Sequence, residues 1–132
     1  MKIQRIEAIA VSLPLTQPIR RSKGVLTSAD NVLVRIEAGG VVGWGEAGSA
    51  PTMTGEFVQS MVAAVQYLAP FLEGAPLDIA KIASTMDANL YGNSGAKAAI
   101  EMAAHDALGK SLGKPVYELL GGNGAAAFPP CA

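Results

Sequence analysis

Four small groups of residues have types and spacings that could do chemistry. Gly43-Trp44-Gly45-Glu46-Ala47-Gly48 fits the glycine pattern of a dinucleotide-binding turn. That chemistry needs a parallel βαβ unit whose last glycine opens a helix, so that the pyrophosphate meets the helix N-terminus. Here Gly39-Gly40 ties the strand antiparallel to its predecessor, and Ser49-Ala50-Pro51 delays the next helix. Gly109-Lys110-Ser111 matches the end of a phosphate-binding loop, but position 104 is Ala104 where that loop needs glycine, and the tripeptide ends a helix instead of preceding one. Glu101 and His105, four apart on one helical face, have metal-ligand spacing. A site would need further ligands, and His105 is the sole histidine. Lys97, Glu101 and His105 are therefore expected to form a polar ladder, with Asp106 paired to Lys110. Cys131 is the single cysteine; it has no nearby base to activate it and no partner for a disulfide or a thiolate zinc site.

The elements that must position these residues divide into strands first and helices second, which predicts an α+β fold. A strand is expected over residues 2–12. Residues 14–30, with Pro14, Pro18 and Gly24, then read as a loop of about 17 residues, a length usually reserved for functional or mobile segments. Val32, Val34, Ile36 and Ala38 alternate with Leu33, Arg35 and Glu37. Gly39-Gly40 then predicts a two-residue hairpin into residues 41–46, because both central positions can take positive φ. That register sets Ala38 against Val41, Ile36 against Gly43 and Arg35 against Trp44. Gly43 and Gly45 would leave room for a close approach on one face.

After a second loop over 47–54, Thr54 is the expected N-cap of a helix with Glu56 in its first turn. Phe57, Met61, Ala64, Val65, Leu68 and Leu72 form its apolar stripe, and Pro70 marks its end. Asp78 should cap a second helix carrying Ile82 and Met86. Ser94 should cap a third, with Ala96, Ala99, Ile100, Ala103, Ala107 and Leu108 on one side, stopping at Gly113. A short turn from Pro115 to Leu120 closes at Gly121-Gly122. The expected architecture is a three-stranded antiparallel sheet followed by three to four helices over 1–122, with an unpatterned tail at 123–132.

Composition narrows the function classes. Ten Lys and Arg against eleven Asp and Glu give a net charge of −1, without the basic excess of a nucleic-acid binder. Hydrophobic residues make up 50% and charged residues 16%, which excludes disorder over most of the length. No apolar run is long enough to span a membrane. Arg5 and Glu7 interrupt the start where a signal peptide needs an apolar stretch, so a cytoplasmic location is expected.

Taken together, the long first loop, the Gly43–Ala47 turn, the block from Ala96 to Lys110 and the block from Gly113 to Gly122 resemble the N-terminal capping domain of the enolase superfamily. The similarity is to the mandelate racemase and muconate lactonizing enzyme group. It implies a cap over a TIM barrel that removes the proton α to a small carboxylate, with Mg²⁺ and nearby cations stabilising the product charge. It also implies that the metal ligands and acid/base residues lie beyond Gly122. A barrel needs about 250 residues, so it is absent from this chain, which alone is expected to be inactive. No residue here is assigned as catalytic or as a metal ligand. The resemblance does carry over two loops that cover the substrate. They put Ile19, Arg20, Lys23 and Val25 in the first, and Met53 and Thr54 in the second, as substrate-binding candidates, with Arg20, Arg21 and Lys23 able to attract an anion. Trp44 and Glu46 are expected to be structural. A homo-oligomer is expected. The alternative is a binding or self-assembly module that uses an uncovered part of the Ile100–Leu108 stripe.

Overall fold

The computed structural model describes residues 1–22 and 24–124. Three strands, β1 (Ile3–Arg21), β2 (Gly24–Ala38) and β3 (Val41–Gly48), form one antiparallel sheet in the order β1-β2-β3. Four helices follow: α1 (Val58–Leu72), α2 (Ile79–Asn89), α3 (Ser94–Leu112) and α4 (Val116–Leu119). This is the expected α+β arrangement.

The glycine pair makes the predicted reversal. Gly39 and Gly40 have φ of 54° and 81°, and Ala38 pairs with Val41, Ile36 with Gly43 and Arg35 with Trp44. Val32, Val34, Ile36 and Ala38 are wholly buried on the helix side. On the other side Arg35 lies between Glu7, at 2.9 Å, and Glu37. Hydrogen bonds to Glu37 and then Glu7 raise the Arg35 pKa above its ordinary value. A raised base stabilises the fold below its unfolded pKa and loses that contribution only as pH climbs through the folded one, so Arg35 adds no pH dependence near neutrality.

The room beside Gly43 and Gly45 is filled by α3. A Cβ on Gly43 would overlap the Ala103 carbonyl oxygen and lie 2.6 Å from the Ala107 nitrogen; one on Gly45 would overlap the Ala99 carbonyl oxygen and lie 2.8 Å from the Ala103 nitrogen. Alanines on the facing helix complete the contact: Ala99, Ala103, Ala104 and Ala107 are fully buried. Along the rim of β3, the Trp44 amide donates to Asp106 at 2.8 Å, and Lys110 bonds both Asp106 (2.7 Å) and the Val42 carbonyl (2.9 Å). Two α3 side chains thus satisfy strand-edge groups that would otherwise be open to another chain.

Four expectations are corrected. The loop at 14–30 is instead the outer arm of a long β1–β2 hairpin: Pro14 pairs with Ser28, and pairing resumes from Ile19–Leu26 to Arg21–Gly24. Edge strands tolerate proline, and the register slips between Pro14 and Ile19, where Pro18 falls. Thr54 does not cap α1. The helix starts after Phe57, whose amide donates to the Ser60 hydroxyl at 2.9 Å. Ser94 does not cap α3; the N-cap is Asn93, with φ of 53° and no side-chain cap bond. The Lys97–Glu101–His105 ladder does not form: Lys97 reaches across to Asp87 on α2 at 2.7 Å, and His105 Nδ1 donates to the Glu101 carbonyl at 2.9 Å. The Ile100–Leu108 stripe is covered only in part, as expected: Ile100, Ala103 and Ala107 are fully buried, Leu108 is half-buried and Met102 between them stays exposed.

Other expectations hold. Asp78 caps α2 by accepting from the Lys81 amide at 3.1 Å, and Asp106 pairs with Lys110. Gly113 ends α3 with φ of 64°. Helix α1 runs two residues past Pro70, anchored by buried Leu68, Ala69 and Leu72. No helix is long and apolar enough to cross a membrane among the described residues. Cys131 and the tail from 125 onward lie outside the described residues.

Candidate functional site

The hairpin arm and the segment after β3 converge on a cavity of about 510 Å³ whose lining includes Arg21, Leu26, Asp30, Asn31, Pro51 and Met53. The register slip decides which arm residues face it. Between the Pro14–Ser28 and Ile19–Leu26 pairs, β1 advances five residues while β2 advances two. Three extra residues reverse the alternation of β1. Ile19 and Arg21 therefore share a face with Leu26 and Ser28, and Arg20 and Val25 lie on the opposite face.

Six candidates came from the sequence. Ile19 and Val25 are exposed, at 47% and 58%. Arg20 pairs with Val25 on the face away from the cavity, and Arg21 is the lining cation. Lys23 lies outside the described residues. Met53 stands at the rim, 87% exposed. Thr54 borders a separate hollow of about 340 Å³ beside Glu46, Glu56 and Ser94. Its hydroxyl accepts from the Glu56 amide at 3.3 Å and donates to the Ala50 carbonyl at 3.4 Å.

Fixed polar groups shape the cavity floor. Asp30 accepts from the Ser12 and Ser28 hydroxyls, and its carbonyl accepts from the Ser49 amide at 3.0 Å. Asn31 donates to Glu46. With Arg21 and Asp30 the lining carries, among the described residues, one cation and one carboxylate beside the aliphatic surfaces of Leu26 and Met53. Such a lining can orient a small polar molecule; among the described residues it holds no paired acid and base placed to move a proton. Among the described residues, no three His, Cys, Asp or Glu side chains cluster closely enough to hold a metal ion.

The sequence reading missed the role of Glu56. This residue is 6% exposed and lies outside α1. Its carboxylate accepts from the Gly95 amide at 2.9 Å, the Ala96 amide at 3.1 Å and the Ser94 hydroxyl at 3.4 Å. It caps α3, 39 residues away, and no local pattern signals such a pairing. A second, more apolar hollow of about 540 Å³ lies along α3 and α4, lined by Trp44, Met102, His105, Val116 and Leu120 among others.

Comparison with known proteins gives the family. Residues 5–121 match the mandelate racemase / muconate lactonizing enzyme N-terminal domain. The N-succinyl-L-Arg/Lys racemase of Bacillus cereus is 39% identical over 98% of this chain and 36% of its own length. A chloromuconate cycloisomerase of Cupriavidus pinatubonensis is 38% identical over 98% of this chain and 36% of its own length. The crystal structure of a dipeptide epimerase from Cytophaga hutchinsonii, complexed with Mg and D-Ala-L-Val, superposes with a TM-score of 0.89 at 38% identity, covering 96% of this chain and 35% of that one. The chain thus spans 36% of the length of the curated relatives named here. A fold and a sequence that agree over nearly all of these residues have one reading: the chain belongs to the mandelate racemase/muconate lactonizing enzyme group of the enolase superfamily, as its N-terminal domain.

Proposed function

We propose that this domain selects the substrate of a Mg²⁺-dependent racemase, epimerase, cycloisomerase or dehydratase that removes the proton α to a small carboxylate. The observation that carries the proposal is the cavity between the hairpin arm and the Met53 loop, where two sequence-distant elements meet. Arg21 and Met53 would touch the far end of the substrate; neither can abstract a proton at neutral pH, and the domain alone is expected to turn nothing over. In this reading the ion and the acid/base groups are supplied by other parts of the enzyme, as the family resemblance implies.

The test is selectivity in the enzyme that carries this domain. Met53→Ala is expected to raise KM about tenfold with kcat nearly unchanged, the pattern of lost ground-state and transition-state contact alike. Arg21→Ala should do the same for substrates with a distal anion, and Arg20→Ala should change KM by less than about twofold. Steady-state kinetics over a substrate series checks this; equal effects at Arg20 and Arg21 would refute the register argument.

A further inference from the structure

We infer that Glu56 is a positioning residue, which holds the Met53 loop rigid by fastening its neck to the start of α3. The loop from Ala50 to Glu56 closes on itself. The Ala50 amide donates to the Glu56 carbonyl at 3.0 Å, and the Met53 and Thr54 amides both donate to the Ala50 carbonyl, at 3.0 and 2.9 Å. Its own turn is thus complete, but nothing in that ring ties it to the rest of the domain. The Glu56 side chain makes that tie, through two backbone amides and a hydroxyl of α3.

The energetics favour a firm attachment. A carboxylate at a helix N-terminus meets amides that no intrahelical carbonyl satisfies, and charge-assisted bonds are about twice as strong as neutral ones. The bonds are shielded, because Glu56 is buried. Gly95 is part of the seat: a Cβ there would lie 3.0 Å from Oε2 and 3.2 Å from Oε1 of Glu56. Helix α3 is itself locked onto β3 through Gly43 and Gly45. Met53 is thereby referenced to the closely packed α3–β3 layer even though its own side chain is exposed. The consequence for substrate selection rests on the proposed function; the fastening does not.

The test is ¹⁵N relaxation on this chain, as wild type and as the variants E56Q and G95A. The E56Q change keeps the shape of the side chain but turns an NH₂ group toward amide donors. The G95A change leaves the carboxylate intact but crowds it at 3.0–3.2 Å, so that its bonds to α3 must lengthen or bend. The wild-type order parameters of Thr52, Met53 and Thr54 should approach the value of about 0.85 typical of rigid backbone, and fall below about 0.6 in both variants, with α1 unchanged. Order parameters at 52–54 that stay near wild type in both variants would overturn the inference, whatever happens to the melting temperature. In the enzyme carrying this domain, a loosened loop should raise KM about fivefold with kcat within about twofold. A loosened loop with KM unchanged would leave the fastening standing and remove the loop from substrate selection.

Discussion

Gly45→Ala is expected to destabilise the domain by about 3 kcal/mol or more, lowering the melting midpoint by roughly 10 °C. The new methyl group would overlap the Ala99 carbonyl oxygen, and backbone cannot swing aside as a side chain can. Relief requires α3 to lift from β3, which breaks the layer of buried alanines and strains the Asp106–Trp44 and Lys110–Val42 bonds together. Gly48→Ala is the control. It sits on the same strand, and its Cβ would meet only the Asn31 side chain at 3.5 Å, an ordinary contact. That change should fall within about 0.5 kcal/mol of wild type. Thermal unfolding of the pair separates close approach from a general effect of glycine on strand entropy. Similar shifts in both would show that α3 does not seat on β3 as described.

Ile36→Ala should cost about 3–4 kcal/mol, the range for deleting a fully buried branched side chain where the surroundings collapse only in part. Ile36 is 0% exposed on the central strand, paired with Ile6 on one side and Gly43 on the other. Neither neighbour can fill the void: Gly43 has no side chain, and Ile6 is held by its own amide bond to Glu73 at 2.8 Å. Leu33→Ala, three positions away on the opposite face, should cost about 1 kcal/mol because that face is only partly covered. Urea titration measures both. Equal losses would mean that both faces of the sheet are buried, contrary to the single helical layer described here.

The contrast between these two residues was legible in the sequence because strand alternation is a local signal. Val32, Val34, Ile36 and Ala38 repeat every second residue, and the Gly39-Gly40 pair fixes the register that brings Gly43 beside Ile36. The α3 stripe and its stop at Gly113 are equally local, since helix period and positive φ are read within a few residues. The arm beyond Pro14 was not legible. Two prolines and a glycine have the composition of a loop, and only the position of β1 at the sheet edge allows them into a strand. The same slip transferred the cavity-facing role from Arg20 to Arg21, a reversal that depends on three extra residues whose number no pattern announces. Glu56 failed for a different reason. Its place near a helix start suggested service to α1, yet burial brought it to a helix start 39 residues onward. Long-range polar pairing is chosen by tertiary packing, and a single sequence carries no trace of it.

The most direct measurement is a crystal structure of the enzyme that carries this domain, bound to a carboxylate substrate or an unreactive analogue. The far end of that molecule should lie within about 4 Å of Met53 and Leu26, with any distal anion within hydrogen-bond reach of the Arg21 guanidinium, and its reacting carbon should be out of reach of every residue of this domain. A ligand that leaves the cavity between the hairpin arm and the Met53 loop empty, or whose α-carbon is approached by a side chain from residues 1–124, would contradict the account.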